Sequence, residues 1–314
     1  MNNQQIALKG LRALIDNLLQ EEQQKPQVPP GRGPKVPVQL QLNRLEYCFN
    51  YYLKPQITEL IKWLQHSREL DNFNYDLEEH NLGQLAGWVS TISDSSLQQA
   101  RQWMDELRHD SELHQHLNQR TEMAHHAIDT DLDRGFGRRI GWYALVRALK
   151  PRTVVETGVH TGLGSCVLAS ALLRNRAEGY EGQYFGTDII PQSGWFFHGR
   201  YREAGEILIG DSIESLERLQ GPIDMFINDS DHSPEYEERE YSCIASKLSN
   251  SAVVLGDNAH VSDKLYKFAV ETNRNFLFFS EKPANHWYPG AGIGAAWGER
   301  EKAHAPRSAG SVIF

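Results

Sequence analysis

The sequence predicts an α/β fold, with a doubly wound, mostly parallel sheet of seven strands preceded by an all-helical N-terminal domain. From about residue 134, short apolar runs rich in β-branched residues alternate with helical patterns, as in parallel sheets covered by helices on both faces. Before that point, apolar residues recur only at helical spacing. We therefore expect a helical domain at residues 1–130, an α/β domain at 131–300 and a tail or linker at 301–314.

The composition narrows the class of protein. The chain has 314 residues, enough for about two domains, and its 40% hydrophobic and 23% charged residues are ordinary for a soluble protein. A formal net charge of -9 argues against a general nucleic-acid binder. No apolar run approaches the roughly 18 residues of a membrane helix, and no signal peptide is evident. Three widely spaced cysteines, Cys48, Cys166 and Cys243, fit free thiols in a reducing cytoplasm.

Three helical stretches are predicted in the N-terminal domain. They cover about residues 6–22, 53–64 and 82–122. The proline-rich segment from Lys25 to Pro37 cannot continue a helix, and Pro55 should break or kink the second stretch near its start. Ser93–Ser96 offers residues that cap a new helix within the third. The aromatic run from Tyr47 to Tyr52 is a candidate homo-oligomer interface or substrate site, beside ordinary helix packing.

Seven strands and five intervening helices are predicted in the α/β domain. The strands are Thr153–Val159, Gln183–Asp188, Glu206–Ile209, Ile223–Asn228, Ala252–Gly256, Asn275–Phe279 and Gly292–Trp297. The helices are Gly164–Arg174, Ser193–Ala204, Ile213–Arg218, Pro234–Leu248 and Ser262–Glu271. Ligands bind such sheets at the carboxyl ends of the strands, so the residues that follow each strand are the candidates for function.

A glycine-rich turn follows the first strand. Gly158, Gly162 and Gly164 end a β-branched strand and open a helix. Glycines there let the backbone approach a ligand, and the helix N-terminus offers free N–H groups to an anion. The spacing is not Gly-x-Gly-x-x-Gly and no Gly-Lys-Ser/Thr follows, so a dinucleotide or phosphate loop is not indicated. The plain alternative is that the glycines only tighten the turn.

Acidic residues follow four later strands. Asp188 and Asp211 end the second and third strands, Asp229 the fourth, and Asp257-Asn258 the fifth. Two carboxylates and an amide oxygen are hard ligands suited to Mg²⁺, and two nearby carboxylates without a cation would repel each other. The plain alternative is that each acid caps the helix that follows its strand.

The motif Glu156-Thr157-Gly158-x-x-x-Gly162-x-Gly164-Ser165 resembles the first motif of class I S-adenosylmethionine-dependent methyltransferases, in the form found in catechol-type O-methyltransferases. The resemblance implies the Rossmann-like methyltransferase sheet and a methionine moiety over Gly158–Ser165. It implies ribose binding by Asp188 and adenine contact by Asp211. The implied cofactor-binding set is Glu156, Thr157, Gly158, Gly162, Ser165, Asp188, Asp211, Ser212 and Asp229.

The later acids resemble the metal site of cation-dependent O-methyltransferases. Asp229, Asp257 and Asn258 match the metal ligands of that group, and Asp229-x-x-His232 is similar to the macrocin and mycinamicin type, in which the histidine is the general base. The Asp-Asn pair follows the catechol-type form, whereas the sugar enzymes tend to carry two acids there. His260 is the competing base.

Together the motifs predict an enzyme that uses S-adenosylmethionine and Mg²⁺, or another hard divalent cation, to O-methylate a small-molecule natural product. The acceptor is a catechol-like, sugar or peptidyl hydroxyl. An alternative is methyl ester formation on the carboxylate of a peptide or small acid. A further alternative, from another class, is a regulatory module that binds S-adenosylmethionine without turnover. We expect a cytoplasmic protein without nucleic-acid or membrane partners, able to self-associate through its N-terminal domain.

Overall fold

The computed structural model describes residues 3–24, 36–67, 74–124, 131 and 134–298. The predicted proline-rich segment, apart from Val36 and Pro37, and the tail at 301–314 lie outside these residues. The helices are α1 (Asn3–Gln24), α2 (Val38–Cys48), α3 (Lys54–His66), α4 (Glu79–Ser93), α5 (Leu97–Arg108), α6 (Ser111–Met123), α7 (Arg139–Leu149), α8 (Leu163–Ala177), α9 (Ser212–Arg218), α10 (Pro234–Ile244) and α11 (Lys264–Glu271). The strands are β1 (Thr153–Thr157), β2 (Gln183–Asp188), β3 (Gly205–Ile209), β4 (Ile223–Asn228), β5 (Leu248–Asp257), β6 (Asn275–Ser280) and β7 (Gly292–Trp297).

The seven strands form one sheet in the order β3-β2-β1-β4-β5-β7-β6. Strands β1 to β5 pair in parallel, whereas β7 runs antiparallel to both β5 and β6. The predicted Rossmann-like, mostly parallel sheet is therefore confirmed. The chain changes direction across the sheet between β1 and β4, because β2 and β3 lie on one side of β1 and the later strands on the other.

Apolar strand residues hold the sheet between its helices. Val155, Phe226 and Val254 are fully buried on β1, β4 and β5 and pack in one cluster with Tyr241 of α10 and Phe268 of α11. Burial of each large apolar side chain contributes roughly 1.5–3 kcal/mol. Strands buried on both faces read as continuous apolar runs, which is why these strands are recognisable in the sequence.

Strand pairing brings three strand ends to one edge of the sheet. Thr157, the last residue of β1, pairs with Asn228 at the end of β4, and Asn228 pairs with Gly256 near the end of β5. Gly158 and Asp229, which follow β1 and β4, and Asp257, the last residue of β5, are consequently neighbours. On the other side of β1, Thr157 pairs with Thr187, next to Asp188.

One predicted helix of the α/β domain is largely wrong. Residues 193–198 are irregular, and only Gly199–Ala204 form a short 3₁₀ segment. Gly194 has φ +77°, which is outside the helical range, and its N–H donates to His160 O at 2.7 Å. Phe196 N–H donates to Thr161 O at 2.9 Å. These N–H groups donate to carbonyls of the glycine-rich turn, so they do not form the hydrogen bonds of a helix.

The chain separates into two compact units that differ from the predicted division near residue 130. The smaller comprises Met1–Asp76, His125–Gly135 and Pro283–Pro289, and the larger comprises Leu77–Ala124, Phe136–Lys282 and Gly290–Phe314. Helices α4 to α6 therefore belong with the sheet. Within the larger unit, Arg147 of α7 donates to Glu106 of α5 at 2.8 Å, and Arg120 of α6 donates from both Nε and Nη2 to Trp195 O at 3.0 and 2.8 Å.

In the smaller unit, α2 and α3 join through a π-helical turn, Phe49–Leu53, just ahead of Pro55. Proline lacks an N–H and disturbs the preceding turn, which accounts for the altered hydrogen bonding at this position. No residue of α2, the turn or α3 is buried, and Tyr47, Tyr51 and Tyr52 are exposed. The expected self-association through this region stays a prediction. None of the described helices combines the length and hydrophobicity of a membrane span.

Candidate active site

The glycine-rich turn packs directly against the end of β4. Gly158 has φ +79°, and a Cβ atom on it would lie 1.9 Å from Asp229 O. Gly162 has φ +88° and would place a Cβ 2.9 Å from Gly194 Cα. Both positions therefore exclude larger residues, through backbone conformation and through contact with neighbouring backbone. The turn, β4 and the loop after β2 are thus held in close mutual contact.

A cavity of about 420 Å³ opens beside this turn at the carboxyl ends of β1 to β4. It is lined by Gly158, His160, Thr187, Asp188, Ile189, Gly210, Asp211, Ser212, Asp229, Ser230, Asp231 and Tyr236. Five of the nine predicted cofactor residues are in this lining. Its position is the crevice at which the strand order reverses, where open α/β sheets bind nucleotides. The size, and the hydroxyl and carboxyl side chains among the lining residues, fit a nucleoside.

Asp188 and Asp211 face the cavity but have different local bonds. Asp188 accepts backbone N–H groups of His160 at 2.8 Å and Ile190 at 2.9 Å, one on each carboxylate oxygen. Asp211 caps α9 by accepting from Ile213 N at 2.9 Å, and its other oxygen accepts from Tyr236 OH at 3.1 Å. A carboxylate has about four lone-pair positions, so Asp188 retains acceptor capacity for two ribose hydroxyls.

Glu156 lies beneath the turn and is 2% exposed. It accepts hydrogen bonds from Ser165 Oγ at 3.1 Å and from Tyr184 OH. Burial raises the pKa of the Glu156 carboxyl to about 7, while the hydrogen bond from Tyr184 opposes the shift. Glu156 and Ser165 are thus hydrogen-bonded to each other below the turn, where they stabilise it. Tyr184, on β2, belongs to no motif, so the sequence does not reveal that it donates to Glu156.

Glu156 should make stability depend on pH. Its pKa is 4.5 when unperturbed and about 7 in the folded protein, so the folded state binds the proton more tightly. The contribution of Glu156 to the free energy of unfolding is therefore highest below pH 4.5. It falls by about 3 kcal/mol as the pH rises through 7. In Glu156→Gln that fall should be absent, which urea unfolding at pH 5 and pH 8 would measure. Exposed Glu206, changed to Gln, is the control; an identical pH dependence for Glu156→Gln and wild type would refute the shift.

A second buried carboxylate, Glu240 of α10, organises the cavity from below. It is 0% exposed and accepts from Thr157 Oγ1 at 2.9 Å and from Ser230 Oγ at 2.8 Å. It also accepts from Asn228 Nδ2 and Ser212 Oγ. Burial raises the pKa of Glu240, and these hydrogen bonds oppose the shift. The predicted cofactor residue Thr157 consequently donates to Glu240. Ser212 lines the cavity and also donates to Glu240.

The acids at the ends of β4 and β5 form a cluster with His232. One ligand atom from each of Asp229, His232 and Asp257 lies within 4.8 Å of the others. His232 Nε2 lies 3.9 Å from Asp229 Oδ1 and 4.0 Å from Asp257 Oδ2. Asn258 Nδ2 is 3.1 Å from both His232 Nε2 and Asp257 Oδ2. The structure therefore brings together all four predicted metal and base residues.

The backbone and the charges of this cluster are unusual. Asn258 has φ +53°, a left-handed conformation that asparagine tolerates better than most residues, and it turns the chain directly after β5. Burial raises the pKa of the Asp229 carboxyl well above its usual range, and repulsion by Asp257 raises it further. The two carboxylates are hard ligands that fit a divalent cation, and Asn258 presents its amide group beside them.

The structure also places a positive side chain at the acids. Arg138, just before α7, donates from Nη2 to Asp257 Oδ2 at 2.8 Å and lies 3.7 Å from Asp229 Oδ2. Glu281, after β6, accepts from Arg138 N at 3.0 Å. Neither residue is recognisable in the sequence, because neither belongs to a motif. His260, the competing base, is exposed, and its ring lies 6.3 Å from that of Phe278.

The sheet order, the antiparallel seventh strand and the cavity at the glycine-rich turn agree with the class I methyltransferase fold that the sequence predicts. Residues 155–259, about a third of the chain, match a family model described as a methyltransferase domain. The match runs from β1 to just past β5 and includes the turn and the acidic cluster. These residues thus match a methyltransferase domain. No curated protein matches the chain significantly.

Solved structures with a similar fold include three methyltransferases. The O-methyltransferase of Bacillus cereus, in complex with SAH, has a TM-score of 0.43 and 15% identity over 60% of this chain and 91% of its own. TomG of Streptomyces achromogenes is an O-methyltransferase of tomaymycin synthesis, in complex with SAM. It has a TM-score of 0.42 and 14% identity over 60% of this chain and 89% of its own. A methyltransferase of Geobacter sulfurreducens has a TM-score of 0.43 and 16% identity over 59% of this chain and 90% of its own. Similarity at this level assigns neither metal nor acceptor.

Proposed function

We propose that this protein is an O-methyltransferase that transfers the methyl group of S-adenosylmethionine to a hydroxyl of a small molecule with the help of a divalent cation. One observation carries the proposal. Asp229 lines the nucleoside-sized cavity and also belongs to the cluster with His232 and Asp257. The residues suited to the cofactor and those suited to activating an oxygen nucleophile therefore meet at a single side chain.

The cofactor would lie in the cavity with its ribose at Asp188 and its adenine toward Asp211 and Tyr236. Asp188 is positioned by two backbone N–H groups, so its carboxylate is oriented before the cofactor arrives. Tyr236 OH, bonded to Asp211, and Ser212, bonded to Glu240, are held in the same way. Bound S-adenosylmethionine supplies an electrophilic methyl group. The role of these side chains is to hold that group against the acceptor oxygen, which is chiefly a positioning effect.

Asp229, Asp257 and Asn258 would hold the cation, with His232 as the general base. A bound Mg²⁺ lowers the pKa of an acceptor hydroxyl by Lewis-acid polarisation. Neutral imidazole can then take the hydroxyl proton. His232 is half-buried, with its side chain 34% exposed, and the acceptor hydroxyl would take the place of Asn258 Nδ2 at His232 Nε2. The acceptor itself, a catechol-like, sugar or peptidyl hydroxyl, is proposed on the family resemblance alone.

Calorimetric titration tests the cofactor and metal parts separately. We expect S-adenosylmethionine and its demethylated product to bind the wild type with and without Mg²⁺. Asp257→Ala should still bind them but should bind the metal about 100-fold more weakly or worse, since it removes a ligand. Asp263→Ala, at an exposed acid of the same loop region, is the control and should bind the metal normally. Failure of either cofactor form to bind the wild type would refute the cofactor site.

Two alternatives remain as proposals. Methyl ester formation on a carboxylate needs no base, because the nucleophile is already ionised, and it would leave only orientation and charge for the cation. A regulatory module would bind the cofactor without turnover. The close approach of His232 to two carboxylates favours hydroxyl methylation over both, since neither alternative requires an imidazole at that position.

A further inference from the structure

The proposed metal ligands are already in contact with a cation of the protein itself. Arg138 Nη2 donates to Asp257 Oδ2 at 2.8 Å, and Arg138 Nε contacts Asp257 Oδ1. Arg138 Nη2 also lies 3.7 Å from Asp229 Oδ2. The guanidinium thus contacts both oxygens of Asp257, through the hydrogen bond from Nη2 and an ion-pair contact from Nε.

Burial strengthens the contact between Arg138 and the two aspartates. The side chains of Arg138, Asp229 and Asp257 are 8%, 13% and 2% exposed, so water screens their charges poorly. The Trp142 ring, with its centroid 5.8 Å from Arg138 Cζ, covers the guanidinium. Two buried carboxylates need a positive charge close by, and the arginine supplies one.

A third carboxylate gives Arg138 a partner outside the proposed ligand set. Glu281 Oε2 lies 3.8 Å from Arg138 Nη1, and Glu281 Oε1 accepts from Arg138 N at 3.0 Å. The Glu281 side chain is 0% exposed. Glu281 therefore holds both the backbone and the side chain of Arg138, and it can keep a neutralising contact with the guanidinium if the two aspartates are taken by another cation.

We propose that Arg138 is a built-in competitor of the divalent cation: guanidinium and metal exclude each other at Asp257 and Asp229. The inference depends on the metal part of the proposed function. A cation held by Asp229, Asp257 and Asn258 uses the carboxylate oxygens that Arg138 contacts, and it repels the guanidinium. Metal binding therefore includes the cost of detaching the arginine, whose charge partly offsets that of the two aspartates in the metal-free protein. The consequence is a lower metal affinity than the ligand set alone would give.

Calorimetric titration of the metal-free protein with Mn²⁺ alone, at fixed pH and ionic strength, tests this competition. In Arg138→Gln we expect binding at least tenfold tighter than in the wild type, a difference of about 1.4 kcal/mol. Arg139→Gln removes the neighbouring positive charge, which also acts on Asp229 and Asp257, and controls for the change in net charge. Its affinity should change much less. Adding Asp257→Asn to Arg138→Gln should abolish the gain.

Thermal melts provide a second readout that does not depend on activity. In EDTA, Arg138→Gln should melt below the wild type, because two buried carboxylates lose their counterion. Mn²⁺ should then raise its melting temperature more than that of the wild type. Arg138→Lys keeps the charge without the contact to both oxygens of Asp257, and it should lie between wild type and Arg138→Gln in both measurements. It serves as the test variant if Arg138→Gln does not fold.

The outcomes separate this inference from the proposed function. If the wild type binds Mn²⁺ and the Arg138 variants bind it equally or more weakly, the competition is refuted while the metal site stands. Arg138 would then be a residue that positions the ligands. If neither the wild type nor any Arg138 variant binds Mn²⁺, both the competition and the metal dependence are refuted. Binding of S-adenosylmethionine would still be judged by its own titration.

Discussion

Replacing His232 with alanine should lower kcat for a hydroxyl acceptor by about 10²- to 10⁴-fold, the usual contribution of a positioned general base. Its Nε2 lies 3.9 and 4.0 Å from the carboxylates of Asp229 and Asp257, where an activated hydroxyl would be. The binding of S-adenosylmethionine should be unchanged, because His232 is outside the cavity lining. Steady-state kinetics on the acceptor and calorimetry with the cofactor would measure the two effects.

His260 offers a matched control for this substitution. It follows Asp257-Asn258 closely in the sequence but is exposed and has its ring near Phe278. His260→Ala should therefore keep nearly full activity. Full activity of His232→Ala on the true acceptor would refute the base assignment, and it would favour a carboxylate acceptor, which needs no deprotonation.

Replacing Gly158 with alanine should abolish measurable cofactor binding or prevent folding. The added Cβ would lie 1.9 Å from Asp229 O and 2.5 Å from Asp229 C, both backbone atoms at the end of β4. Neither can move without separating β1 from β4. The left-handed φ of +79° adds roughly 1–2 kcal/mol of strain for a residue with a side chain. Calorimetry and thermal melts would show a loss of affinity greater than 100-fold or a large fall in melting temperature.

Gly179 separates the two causes of this effect. It has φ +90°, but a Cβ atom on it would meet nothing within 4 Å. Gly179→Ala should therefore show only the strain of the left-handed conformation, with a small loss of stability and normal cofactor binding. If Gly158→Ala behaved like Gly179→Ala, the tight contact between the turn and β4 would not be needed for the cofactor site.

The strand ends were the part of this fold most readable in the sequence. Buried parallel strands appear as short apolar runs, and β2, β4 and β7 have the predicted bounds. Strand neighbours then follow from the order of the sheet, so Asp229 and Asp257 could be expected to meet. The helix predicted from Ser193 failed because its N–H groups bond to the turn after β1. Those partners are more than thirty residues away, beyond any local pattern.

The electrostatics of the candidate site were not readable in the same way. The sequence shows two carboxylates that need a positive charge, and a metal ion is the natural expectation. The structure supplies Arg138, which is separated from Asp257 by 119 residues and from Glu281 by 143. Glu240 and Tyr184 are likewise single polar residues without a motif. Each is recognisable only from the buried hydrogen bonds that it makes.

The sequence by itself determined the class of fold, the glycine-rich turn and the acids placed at the carboxyl ends of the strands, because these depend on local apolar patterns and on the order of a parallel sheet. The tertiary structure alone decided how the buried charges are balanced. Burial weakens solvent screening, so each carboxylate depends on whichever positive or hydrogen-bonding group the folded chain brings next to it. For Asp257 that group is Arg138, and for Glu156 it is Tyr184 with Ser165.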